Sequence, residues 1–155
     1  MGSILKPRKA YMPVGHLGPK RMGEVAEIAF MYRSAIEGIG VARPYGDSHP
    51  CDFLMQHGRR LSRVQVKSCF TPRRTHGRTG FHILVAYRCG KELRLYTQAE
   101  VDFIAVFVAR YNIWYVIPVE ALGRSKTIRV YPHGKGNQTG AFYESYREAW
   151  HLLKE

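Results

Sequence analysis

From Lys20 to about Gly38 the apolar residues Val25, Ala26, Ile28, Ala29, Tyr32, Ala35 and Ile36 recur at helical spacing, and Gly38 and Gly40 close the segment. Beyond it the pattern shortens to strand-like runs. Ile39 to Arg43 is one, followed by a Pro/Gly turn from Pro44 to Pro50. Asp52 to Gln56 and Leu61 to Phe70 follow as a pair joined by His57-Gly58-Arg59-Arg60. Thr71 to Gly80 reads as a basic loop and Phe81 to Arg88 as an alternating strand. Thr97 to Glu100 reads as a short capped turn. Asp102 to Arg110 and Ile113 to Val119 are the most apolar runs, the pattern of buried central strands. Lys126 to Tyr131 adds a strand. Tyr143 to Leu153 reads as an amphipathic helix with Tyr146, Ala149, Trp150 and Leu153 on one side. A helix, a set of strands and a closing helix predict an α/β layer fold. Residues 1–19, rich in Gly, Pro and basic side chains, read as a flexible basic arm ahead of one domain over 20–155.

Charge narrows the function. The 155 residues carry 24 Lys+Arg against 12 Asp+Glu, a net +12, which calls for a polyanionic partner. From Phe53 through Lys91 there is no acid at all, while Arg59, Arg60, Arg63, Lys67, Arg73, Arg74, Arg78, Arg88 and Lys91 all fall there. A solvated face mixes its signs; a stripe of one sign suits phosphate. No signal-like apolar start is visible, and Asp102, Arg110 and Asn112 break the greasiest stretch into runs too short for a bilayer. Cys51, Cys69 and Cys89 form no Cys-x-x-Cys pair, and the histidines show no zinc spacing. The expectation is a reduced, cytoplasmic protein with no membrane contact.

The candidate chemistry lies at Asp52 and Val64-Gln65-Val66-Lys67-Ser68. Strand alternation turns Gln65 and Lys67 to one face and Val64 and Val66 to the other. Asp52, on the adjoining strand, supplies a charge partner for Lys67. Such a set suits metal-assisted phosphodiester hydrolysis. Hard Mg²⁺ takes oxygen ligands, here the Asp52 carboxylate, the Gln65 amide oxygen and the Val66 carbonyl, with Glu24 on the helix binding the metal or one of its waters. Lys67 would orient the attacking water and offset charge in the transition state. The same spacing equally describes a plain cross-strand ion pair between Asp52 and Lys67.

The strings Gly23-Glu24, Pro44-Tyr45-Gly46-Asp47, Cys51-Asp52-Phe53 and Arg63-Val64-Gln65-Val66-Lys67-Ser68 resemble the PD-(D/E)XK nuclease superfamily. More narrowly they resemble its group I intron-associated homing endonucleases. Asp102-Phe103-Ile104-Ala105, Trp114 to Val119, Tyr131-Pro132-His133 and Tyr146 to Trp150 extend the likeness over residues 20–155. The resemblance implies a restriction-endonuclease-like mixed β-sheet flanked by helices, cleavage of double-stranded DNA with Mg²⁺ (or Mn²⁺ in its place), and a homo-oligomer, dimer or tetramer. It assigns Glu24 as the helix acid, Asp52 as the first catalytic acid, Gln65 to the second acid position and Lys67 as the lysine. Gln65 departs from the usual Asp or Glu, as this subgroup does, and leaves the site one negative charge poorer. Arg59, Arg60, Arg63, Arg73, Arg74, His76 and Arg78 would line the DNA.

Bland readings stand beside these. Asp47 and Ser48 suit their turn, Asp102 a strand-start cap and His133 a loop. The cysteines suit small buried side chains, and Trp114, Tyr115, Tyr143, Tyr146 and Trp150 the core. Two other functions compete with homing-type cleavage: a structure-selective nuclease of the Holliday-junction resolvase kind, and an inactive DNA-binding module. The apolar run Val101 to Val119 and the C-terminal helix offer a candidate oligomer interface or, equally, core.

Overall fold

The computed structural model describes residues 17–133 and 141–155. Most of the expected N-terminal arm therefore lies outside the described residues, and its last residue, Pro19, already belongs to the helix. Helix α1 spans Pro19–Ile36, with Pro19 in the first turn, where its fixed φ fits and its missing N–H costs nothing. At the other end Gly38 takes φ +72°, so that Gly38 N–H reaches Ala35 O at 3.1 Å and Ile39 N–H reaches Ser34 O at 2.9 Å. That is a Schellman cap, and it seats the buried Ile39 against the helix end.

The strands are β1 (Gly40–Ala42), β2 (Phe53–His57), β3 (Arg60–Cys69), β4 (Arg73–Thr75), β5 (Arg78–Leu84), β6 (Ala86–Cys89), β7 (Glu92–Leu95), β8 (Phe103–Val108), β9 (Ile113–Pro118) and β10 (Thr127–Val130). A five-stranded mixed sheet runs β1-β2-β3-β8-β9, antiparallel except where β3 lies parallel to β8. A three-stranded sheet runs β10-β5-β4, and β6 pairs with β7 alone.

β8 shows why the fold has two layers of core. All six of its residues are buried. Alternation sends Phe103, Ala105 and Phe107 toward α1, and Ile104, Val106 and Val108 toward Phe81, Ile83, Ile128 and Val130 of the smaller sheet. On the α1 side, Phe30 is fully buried with its ring 5.2 Å from Phe53, 5.4 Å from Trp114 and 5.6 Å from Trp150. Asp102, at the strand start, accepts the Arg63 backbone N–H at 2.7 Å and its guanidinium at 2.9 Å, clamping the entry of β8 to β3.

Four expectations change. Tyr143 to Leu153 is not an α-helix: two 3₁₀ turns, Glu144–Tyr146 and Trp150–Leu153, flank a strap held to β9. Glu148 N–H donates to Trp114 O at 2.8 Å, while the Glu148 carboxylate accepts Trp114 N–H at 2.8 Å and pairs with Arg33 at 2.9 Å. These contacts hold Glu148 at φ +53°, where no helix can continue. The basic loop is a β-hairpin of β4 and the start of β5. β7 was not visible in the sequence at all. Among the cysteines only Cys51 is buried; Cys89 is exposed.

Candidate active site

β2 and β3 bring three of the expected residues together. Asp52 precedes β2, and its backbone N–H donates to Val64 O at 3.0 Å. Its Oδ2 accepts the Val66 N–H at 2.8 Å and the Gln65 Nε2 at 2.6 Å. Val64 and Val66 pack into the α1 core, so Gln65 and Lys67 emerge on the far face. Lys67 and Asp52 do not close into a direct ion pair. The Lys67 ammonium instead sits 5.2 Å from the centre of the Tyr96 ring, which packs 5.0 Å from Tyr87, whose hydroxyl donates to Glu100 at 2.9 Å. The β6–β7 hairpin thus supplies an aromatic wall for the lysine, a partner that the strand pattern did not announce.

The helix acid is where the expectation shifts. Glu24 is paired with Arg21 at 2.9 Å on an exposed face of α1. Glu27, one turn on, points into an open cleft of about 510 Å³ that it shares with Arg43, Asp47, His49, Cys51 and Asp52. Glu27 is ion-paired with Arg43, which also lies over the Phe53 ring at 5.3 Å. The electrostatics couple the two acids. Burial raises the Glu27 carboxyl above the usual range and the Asp52 charge raises it further, against the opposing Arg43. Burial also raises Asp52, against the Val66 N–H, the Lys67 charge and the Gln65 amide. Burial lowers the Lys67 ammonium, and Asp52 holds part of it back. Burial is the first cause of all three shifts, so the two acids and the lysine beside them are charged groups drawn partly out of water.

The donor set is therefore oxygen-rich and small: two carboxylates, the Gln65 amide and the Val66 carbonyl. Among the described residues no three His, Cys, Asp or Glu side chains converge to hold a metal. The chemistry suits a hard divalent ion that keeps most of its waters, and not zinc. Gln65 now turns its Nε2 toward Asp52, so its oxygen reaches the cleft only after the amide turns over.

The expected DNA-facing residues divide. Arg59 is exposed in the β2–β3 turn. Arg63 spends its guanidinium on Asp102 and on the carbonyls of Gln98 and Ala99. Arg60 donates to Ser62 and to the chain-terminal Glu155 and lies 5.9 Å from the Phe103 ring centre. Those two arginines knit the sheet. Arg73, Arg74, His76 and Arg78 are all exposed on the β4–β5 hairpin.

A mixed sheet whose central strand carries Gln-x-Lys beside Asp52, with Glu27 of the helix sharing the Asp52 cleft, is the kind of arrangement found in phosphodiester-cleaving nucleases. The chain belongs to the PD-(D/E)XK endonuclease family, whose model matches residues 17–153. A similar solved structure is that of the bacterial homing endonuclease I-Ssp6803I, at 27% identity and a TM-score of 0.71, covering 88% of this chain and 91% of that one. No curated protein sequence gives a significant match. No helix among the described residues is long and apolar enough to cross a membrane.

Proposed function

We propose that this chain is a site-specific, homing-type endonuclease that hydrolyses phosphodiester bonds of double-stranded DNA with Mg²⁺, for which Mn²⁺ substitutes. The observation that carries this reading is the cluster of Asp52, Gln65, Lys67 and Glu27 beside a basic surface, in a chain similar over most of its length to a homing endonuclease. Asp52, the Gln65 oxygen and the Val66 carbonyl would hold the metal, with Glu27 rather than Glu24 as the helix acid. When bound, the metal supplies Lewis-acid polarisation of the phosphate and a more acidic water. Lys67 Nζ, lowered by burial, donates to the attacking water and offsets charge as the phosphorane develops. Asp52 Oδ2 is fixed by the Val66 N–H, so the carboxylate does not have to reorganise during the reaction. Arg59, Arg73, Arg74, His76 and Arg78 supply contacts to the DNA. One such site cuts one strand, so a double-strand break needs two copies, and we propose a homo-oligomer on DNA.

The test is cleavage of a random linear duplex library and of an immobile four-way junction, each with Mg²⁺ and with EDTA. Mg²⁺-dependent cutting of a subset of the linear duplexes is expected. Cutting of the junction alone would make the chain a structure-selective nuclease, and cutting of neither would leave an inactive DNA-binding module.

A further inference from the structure

We propose that the solvent face of the β10-β5-β4 sheet, led by the β4–β5 ribbon, enters the major groove and reads base identity beside the cut. This rests on the nuclease reading for its substrate, duplex DNA, but assigns sequence discrimination to residues outside the catalytic cluster. The register fixes the face. Arg73 lies opposite Gly80, Thr75 opposite Arg78, Arg129 opposite His82 and Thr127 opposite Leu84. By alternation Arg73, Thr75, Arg78, His82, Thr127 and Arg129 share one surface, while Phe81, Ile83, Ile128 and Val130 are buried on the other.

Three features make this a reading surface and not decoration. First, its shape fits: the ribbon turns through His76 and Gly77 at φ +51° and +77°, a tight turn of the I′ kind, and two strands about 5 Å apart with their side chains fill a groove roughly 12 Å wide. Both faces of its tip are exposed, so it stands clear of the core. Secondly, it is braced. A Cβ at Gly80 would meet the Tyr131 ring at 2.7 Å, so glycine lets Tyr131 lie across the ribbon's root, and His133 Nε2 is 3.0 Å from Thr79 O. Thirdly, its chemistry is of one kind. Arg73 and Arg129 both press on His82 from the same face, and neither is paired with a carboxylate among the described residues. Arginines held at like charge without an acid await an acceptor, and guanine O6/N7 or phosphate oxygens supply it. A groove of about 520 Å³ along this face is lined by Thr75, Arg78, Thr127 and Arg129 with the exposed Phe142 at its rim.

The ribbon leaves the catalytic strand directly. Arg73 is six residues from Lys67, at most about 20 Å of extended chain, so it lies within about six base-pair steps of the scissile phosphate.

The test is selection of bound 30-base-pair duplexes from a random library in EDTA, with wild type, Arg129→Ala, Arg129→Lys and His82→Ala, each checked for unchanged melting. Wild type is expected to enrich defined base pairs. Arg129→Ala and Arg129→Lys should each lose roughly 5- to 150-fold of discrimination at one or two adjacent positions, with Lys retaining the salt slope. Equal weakening on all sequences, with the slope reduced by about 0.9 and the logo unchanged, would overturn base reading in favour of a phosphate contact. An unchanged logo and affinity, or no wild-type preference, would overturn it as well. Because no metal is present, failure of catalysis cannot be mistaken for failure of this proposal.

Discussion

Lys67 is an ammonium drawn out of water onto the face of Tyr96, and that contact fixes where its charge stands. The aromatic face is what matters, not the hydroxyl. Tyr96→Phe should therefore keep the single-turnover cleavage rate, whereas Tyr96→Leu should lower it by about tenfold with DNA affinity unchanged. A rate loss in Tyr96→Phe equal to that in Tyr96→Leu would assign the effect to the phenol. The helix acid gives a second contrast at this scale. Glu27 shares the cleft with Asp52 and Glu24 does not, so Glu27→Gln should cost about 10²-fold in rate and Glu24→Gln less than about threefold. That Asp52, Gln65 and Lys67 meet in space was legible because strand alternation is a rigid rule. Glu27 was not, because the choice depends on the rotation of α1. Its buried stripe is Ala26, Phe30 and Ser34. Measured from Ala26, Glu24 lies about 200° round the helix and Glu27 about 100°, at the flank of the packed face. Phe30 was absent from the apolar periodicity, and without it that face could not be aimed.

At the scale of elements, local pattern located the strands of the main sheet and failed where tertiary contacts overrode it. The C-terminal segment has a helical apolar period, yet Glu148 is drawn onto β9 by Trp114 and Arg33, and the chain straightens between two short turns. The ribbon reads as a loop in the sequence because its turn is His76-Gly77, lacking the Asn-Gly or Asp-Gly of a recognisable hairpin signal. The Arg63–Asp102 clamp carries a prediction of its own. Burial alone would raise the Asp102 carboxyl, but the Arg63 side chain, its backbone N–H and its charge together hold it below the usual range. A depressed acid stabilises the fold fully above about pH 4 and loses that contribution as the pH falls through its native value. Asp102→Asn should thus lower stability by about 1 kcal/mol at pH 7, a figure discounted for a pair one-third exposed, with the difference shrinking as the pH falls below about 4. Urea melts of both proteins at pH 7 and pH 2.5 check it; an equal difference at both values would contradict the clamp.

For the whole molecule, the apolar surplus between Val101 and Val119 is core and not interface. β8 is buried throughout, as are Trp114, Tyr115, Trp150 and Leu153. Composition cannot tell a second core from a docking face; only the smaller sheet closing over β8 does. Among the exposed apolar side chains, Ile28, Tyr32 and Ile36 form a stripe along α1, 58%, 69% and 63% exposed at four-residue spacing. Arg33 beside them is neutralised by Glu37 and Glu148, so two copies could meet there without the repulsion that a net +12 imposes elsewhere. Sedimentation on a 30-base-pair duplex should show at least two copies per DNA for the wild type. Ile28→Asp/Tyr32→Asp should bind as a monomer and leave only nicks. A wild type that sediments as a monomer both free and on the duplex would rule out the proposed oligomer.

In the proposed reaction Asp52 and Lys67 perform metal-dependent hydrolysis. Its most direct test is single-turnover cleavage of supercoiled plasmid in Mg²⁺, in Mn²⁺ and in EDTA, by wild type, Asp52→Ala and Lys67→Ala, with DNA binding followed in parallel. Wild type should cut with either metal and not in EDTA. Each variant should lose about 10²- to 10⁴-fold in rate, and Lys67→Ala should keep its grip on DNA. Variants that cut as fast as wild type, or cutting that persists undiminished in EDTA, would contradict the site.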